Sequence, residues 1–252
     1  VSSKKISRTI AYDPRRINPL YHIAWGVRFF LSGLRTLIGH PSLFGLSLIP
    51  ILSTVALLVL IALGSAWLIG EMMANTLGEG LRNMARALIF VLTLMLGYFL
   101  YLPIARVLLA PFSEALSRKT HAISNNSRYQ SDLGWSRAIW EGLKLVIFQM
   151  VIVSIAFIIG LIFPPIGAPV GIALAIFTCG LDFFDVPLSA RGLPFRKKLG
   201  IIWQNKALAI GFGLAAYISL LIPVINLLSL PVGVIGATLL TDQIEEDGRR
   251  HR

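Results

Sequence analysis

Phe163-Pro164-Pro165-Ile166-Gly167-Ala168-Pro169-Val170-Gly171 and Ile222-Pro223-Val224-Ile225-Asn226, the latter running on through Pro231-Val232-Gly233, interrupt two long uncharged stretches, Leu145–Leu181 and Ala207–Thr241. Each stretch is too long for one membrane span. The arms on either side of the breaks, roughly 10 to 19 residues each, mostly fall short of the ~20 residues that cross the hydrocarbon. The pattern predicts two helical hairpins that dip into a bilayer. Irregular backbone at membrane depth is tolerated only where protein buries it or a wet cavity hydrates it, so a matched pair of broken segments points to a solute pathway.

Composition agrees. The chain is 56% hydrophobic and only 14% charged, with a mean hydropathy of +0.76, which places it among integral membrane proteins. Polar connectors between the hydrophobic blocks are short and no Ser/Gly/Pro-rich linker divides the chain, so residues 1–252 are read as one membrane domain. The formal net charge of +11 is scattered between apolar blocks, where it reads as a topology signal. No basic groove with interleaved aromatics accompanies it, and nucleic-acid binding is not expected. The single cysteine, Cys179, sits inside an apolar arm and reads as a packing residue. Val1–Arg16 is basic and polar, but no apolar core follows it directly, so no cleavable signal is expected.

Two further stretches are free of charge, Pro41–Gly70 and Ala87–Ala105, and predict transmembrane helices over 42–70 and 87–110. The basic residues before the first of these, after the second (Arg106, Arg118, Lys119) and after the first hairpin (Arg196, Lys197, Lys198) place those connectors in the cytoplasm. Glu71–Arg86 falls outside, and both termini are cytoplasmic. Residues 20–38 carry Ile23, Val27, Phe30, Leu31, Leu34 and Ile38 at helical spacing, with Arg28 and Arg35 on the flank and Tyr21 and Trp25 suited to headgroup level. This predicts an amphipathic helix on the cytoplasmic membrane surface. Ser113–Ala122 is expected to continue helix past Pro111, Asn125-Asn126-Ser127 to form a loop, and Asp242–Arg252 to be a solvated tail. The fold class is therefore all-α and membrane-integral: two long transmembrane helices, two Pro/Gly-broken hairpins and a surface amphipathic helix.

Chemistry-bearing residues are few. The four histidines have no metal-ligand spacing, and phosphate loop, nucleophile elbow and zinc-protease helix are absent. Neither an enzyme, a metal nor a cofactor is expected. Ser42 with the amides of Leu43 and Phe44 forms a helix start able to receive an anion, or an ordinary cap. Arg35 and His40 form a basic mouth beside it, or, for Arg35, a phospholipid contact. Arg106 lines a path or snorkels to the interface. Asn226 donates to a passing anion or satisfies backbone freed at Pro223. Asp182 and Asp185 are expected to pair with Arg191, Arg196 or the lysines at 197 and 198, and Gln149 to bond between helices.

Several landmarks fall in the order seen in one family: Leu48-Ile49-Pro50, Gly97-Tyr98-Phe99, Ala110-Pro111-Phe112, Leu181-Asp182-Phe183-Phe184-Asp185, Leu193-Pro194-Phe195-Arg196, Ile222-Pro223-Val224-Ile225-Asn226-Leu227 and Pro231-Val232-Gly233 through Thr238. In this the chain resembles the CysZ-type sulfate permeases, whose family also includes the eukaryotic etoposide-induced membrane proteins. The resemblance implies a bacterial inner-membrane protein, working as a homo-oligomer in the phospholipid bilayer, that admits sulfate or a related oxyanion for cysteine synthesis. It also implies two alternatives: a permease for a different anion, and a non-transporting membrane interaction protein of the same fold. One departure stands out. Where the sulfate permeases carry a sequence like Pro-Gly-Leu-Arg-Arg that binds sulfate, this chain has Pro41-Ser42-Leu43-Phe44-Gly45, without the arginine pair.

Overall fold

The computed structural model describes residues 18–72, 78–125 and 135–250. The basic segment Val1–Arg16, the loop positions 126–127 and the side chain of Arg106 lie outside the described residues. The described chain is helical, with no strand among its residues: α1 (Pro19–Gly39), α2 (Pro41–Met72), α3 (Glu79–Asn125), α4 (Trp135–Ile162), α5 (Pro164–Ala190), α6 (Phe195–Gln204), α7 (Lys206–Leu221) and α8 (Pro223–Arg250). These group into two compact units: one holding residues up to Phe44 and from Ser113 onward, the other Gly45–Phe112.

Both breaks fall at a proline. The first is the single residue Phe163 between α4 and α5, and the second is Ile222, extended at φ −96° and ψ 114°, between α7 and α8. Proline at the first helical position lacks only an N–H that would be unpaired there, so Pro164 and Pro223 start helices as readily as they end them. The interruptions are narrower than the sequence suggests, because Pro169 and Pro231 lie inside α5 and α8. The first hairpin closes tightly: a Cβ at Gly167 would overlap the Cα of Gly160 across the turn.

The helices flanking the breaks outrun the uncharged arms because they continue into polar sequence. Among the described residues two are long and apolar enough to cross a membrane, Trp140–Ile162 (23 residues, mean hydropathy 2.9) and Pro164–Ala190 (27 residues, mean hydropathy 1.8). α7, with 16 residues, is shorter, and it meets α6 at a bend of 94°. Gly192, at φ 72°, turns the chain between α5 and α6, a conformation open to glycine without steric cost.

The core of the larger unit centres on Phe212 of α7, fully buried, which takes edge contacts from Phe30 (5.5 Å), Phe183 (6.1 Å) and Phe184 (5.5 Å). Glycine seams let backbones approach around it. Gly26 of α1 faces α7, where a Cβ would stand 2.6 Å from the amide N of Phe212. Gly33 faces α8, where it would stand 2.8 Å from the N of Gly236. Close backbone approach through small residues is how helices associate where lipid offers no hydrophobic drive.

α1 therefore differs from its sequence reading in one respect. Its docked face is Gly26, Phe29, Phe30, Gly33, Thr36 and Leu37, and Phe30, read as part of the membrane stripe, points into the protein. Leu31, Leu34 and Ile38 remain exposed. A stripe of large apolar residues marks the lipid side, whereas the protein side is marked by small ones that hydropathy does not weight.

In the smaller unit, Ser65 of α2 meets Thr93 of α3 through their hydroxyls at 3.2 Å, beside buried Ala62 and Ala66. Leu52, Leu60, Leu63, Trp67, Leu88 and Leu92 are exposed, as a lipid-facing pair of helices requires.

Candidate functional site: the start of α2 and the second break

α1 and α2 are joined by one residue. His40 is extended at φ −129° and ψ 97°, and its Nδ1 lies 3.0 Å from the carbonyl of Thr36. Its own carbonyl accepts from the amides of Leu43 (2.9 Å) and Phe44 (3.1 Å). The two amides that the sequence offers to an anion are thus engaged by backbone, and the Leu43 side chain is fully buried as an anchor. Ser42 is exposed.

A cation that the sequence offers only as a topology signal reaches this helix start. Lys119 Nζ, on the last stretch of α3, donates to the Ser42 carbonyl at 3.1 Å. Its neighbour Arg118 pairs with Glu114 at 3.6 Å. Arg35 is exposed on α1, and Arg106 lies within α3.

At the second break, Asn226 stands in the first turn of α8, its amide N donating to the Ile222 carbonyl at 2.8 Å. The side chain is only 7% exposed and its Oδ1 has no hydrogen-bond partner. One turn on, Ser229 Oγ lies 2.8 Å from Ser219 Oγ of α7, both buried. Asn226 and Ser229, three apart, share a helix face, so the break carries a strip of buried polar groups. A buried oxygen without a partner costs about 1–3 kcal/mol. Asn226→Leu is therefore expected to leave the thermal midpoint in detergent unchanged or raised. If Asn226 lines the path, the same variant loses most of its uptake in liposomes, and unchanged uptake removes it from the pathway.

Of the two acids of α5, Asp185 meets one of the expected bases, whereas the bond shown for Asp182 comes from Gln149. Gln149 of α4 donates to Asp182 at 2.6 Å, a bond between helices. Asp185 pairs with Lys198 of α6 at 2.7 Å, and Lys198, itself buried, also donates to Ser189 Oγ at 2.5 Å.

The tail differs from its solvated reading. α8 runs helical to Arg250, and Asp242 is buried, bonded to His121 Nδ1 at 2.7 Å and to Arg191. Arg191 also reaches Glu245 at 3.3 Å. Burial raises the Glu245 carboxyl, but the hydrogen bond from Arg249 and the nearby charge of Arg191 outweigh it and hold the group below its ordinary value. His121 and Asp242 are 121 positions apart, and no local pattern in the sequence joins them.

Taken together, proline-broken apolar hairpins, long exposed apolar helices and a few buried polar clusters define an all-α integral membrane protein. The chain belongs to the family described as Sulfate transporter CysZ/Etoposide-induced protein 2.4, whose model matches residues 29–231. It is similar to the protein named Sulfate transporter CysZ of Pseudomonas aeruginosa, 27% identical over 174 residues, covering 65% of this chain and 69% of the relative. A protein of the same name from Pseudomonas syringae pv. tomato is 26% identical over 168 residues, covering 60% and 64%. One from Vibrio parahaemolyticus is 25% identical over 158 residues, covering 57% and 62%. The chain thus aligns with roughly two thirds of the length of these curated relatives, which are named as transporters.

Proposed function

We propose that this protein is an inner-membrane permease that admits sulfate or a related oxyanion to the cytoplasm, supplying sulfur assimilation and cysteine synthesis. The observation that carries the reading is Lys119 Nζ on the Ser42 carbonyl at the start of α2, the stretch where the resemblance to the sulfate permeases implies an anion site and where the arginine pair is missing. A helix start offers about half a positive charge. With Pro41 lacking an N–H and the Leu43 and Phe44 amides engaged by His40, less than that remains here, and Lys119 supplies most of the charge set against the two of sulfate. Ser42 adds a hydroxyl donor, and His40 shapes the turn that holds both. From there the proposed path leads to the polar strip at Asn226. Both termini are taken to be cytoplasmic and the protein to work as a homo-oligomer.

The test is uptake of radiolabelled sulfate into liposomes containing the purified protein, with selenate, phosphate and chloride as competitors and empty liposomes as control. Saturable uptake competed by selenate is the expected result. A second reading, a non-transporting membrane interaction protein of the same fold, is favoured by one observation: the Leu43 and Phe44 amides are already engaged by His40. Uptake no greater than in empty liposomes, from folded protein, selects that reading.

A further inference from the structure

α1 has three sides. Its glycine and phenylalanine side is docked on α7 and α8. On the side turned away, Leu20, Leu31, Leu34 and Ile38 are exposed, Leu20 and Ile38 each by 70%. At 100° per residue these four fall within a 60° arc, and Arg28 and Arg35, seven positions apart, lie within 20° of each other along the edge of that ridge. Both arginines are exposed, and no ion pair among the described residues involves either of them. Arg28 stacks over Trp25 at 5.0 Å, an aromatic with an apolar body and a polar edge suited to headgroup depth. α1 itself contains no acid.

We propose that this outer side of α1 is a docking surface selective for anionic phospholipids. The Leu/Ile ridge enters the acyl boundary, and Arg28 and Arg35, about 10.5 Å apart along the axis at 1.5 Å per residue, each hold the phosphate of a net-negative headgroup. A zwitterionic lipid also fills the ridge, but its quaternary amine offsets the phosphate that the arginines attract. Selectivity therefore belongs to the arginines and general lipid affinity to the ridge. The inference is independent of the transport reading, because it concerns a face of α1 and a ligand that is not carried.

The experiment uses the full chain in nonionic detergent, titrated separately with phosphatidylglycerol and phosphatidylcholine, and reads the lipid fraction that gives half the maximal rise in thermal midpoint. A basic residue near an anionic surface contributes about 1 kcal/mol, or roughly fivefold in affinity. Arg28→Gln/Arg35→Gln is expected to shift the phosphatidylglycerol midpoint by roughly 25-fold and leave that of phosphatidylcholine in place. Arg28→Lys/Arg35→Lys keeps most of the preference, and Leu31→Gln/Ile38→Gln weakens both lipids alike. A double glutamine variant that retains the wild-type ratio overturns the proposal. Should that variant not fold, the single glutamine variants decide: about fivefold lost in each supports the proposal, and no loss in either overturns it.

Discussion

Gly33→Val is expected to cost the larger unit its packing, with folded yield in detergent collapsing or the thermal midpoint falling by the equivalent of about 3 kcal/mol or more. The reason is where the added carbon goes. At Gly33 it overlaps the carbonyl of Val232 and approaches the N of Gly236 to 2.8 Å. Both neighbours are backbone in a helix, so no side chain can swing aside, and α1 must lift off α8. Gly39→Val is the control. Nothing lies within 4 Å of a Cβ there, and such a surface change is expected to stay within about 0.5 kcal/mol. Equal behaviour of the two variants in thermal unfolding would refute the seam as a stability determinant.

The largest functional effect is expected at Lys119. Lys119→Glu replaces the cation that reaches the start of α2 by a charge of the wrong sign. A hydrogen bond to a charged group contributes about 1.5–3 kcal/mol, so initial sulfate uptake into liposomes should fall by roughly 10- to 100-fold, with Lys119→Arg retaining most of it. Lys119 is exposed, so circular dichroism and thermal midpoint should not move. Uptake unchanged in the glutamate variant would mean that anions enter elsewhere.

Much of this architecture was legible from residue order. The breaks lie at the two prolines that interrupt uncharged runs, Gln149 bonds between helices, and Asp185 finds Lys198, because proline chemistry and the need to pair a charge among apolar helices act locally. Pro169 and Pro231 misled the reading for a physical reason: an unbroken helix satisfies more backbone groups than a loop does, and in apolar surroundings that outweighs a lost bond. The docked face of α1 was hidden because glycine packs by what it lacks, which no hydropathy scale records. The candidate site was the least legible. Lys119 reaches Ser42 across 77 positions, and nothing near either residue announces the other.

The two glycine seams of α1 have a mechanical consequence. Gly26 is keyed to α7 and Gly33 to α8, on opposite sides of the break at Ile222, so a single rigid rod is fastened to both leaves of one hinge. Seven positions, about 10.5 Å, separate the two fastenings. The leaves cannot splay while both hold, and with backbone seated against backbone neither fastening has slack. Any opening at the second break must therefore either release one seam or carry α1 along with the moving arm.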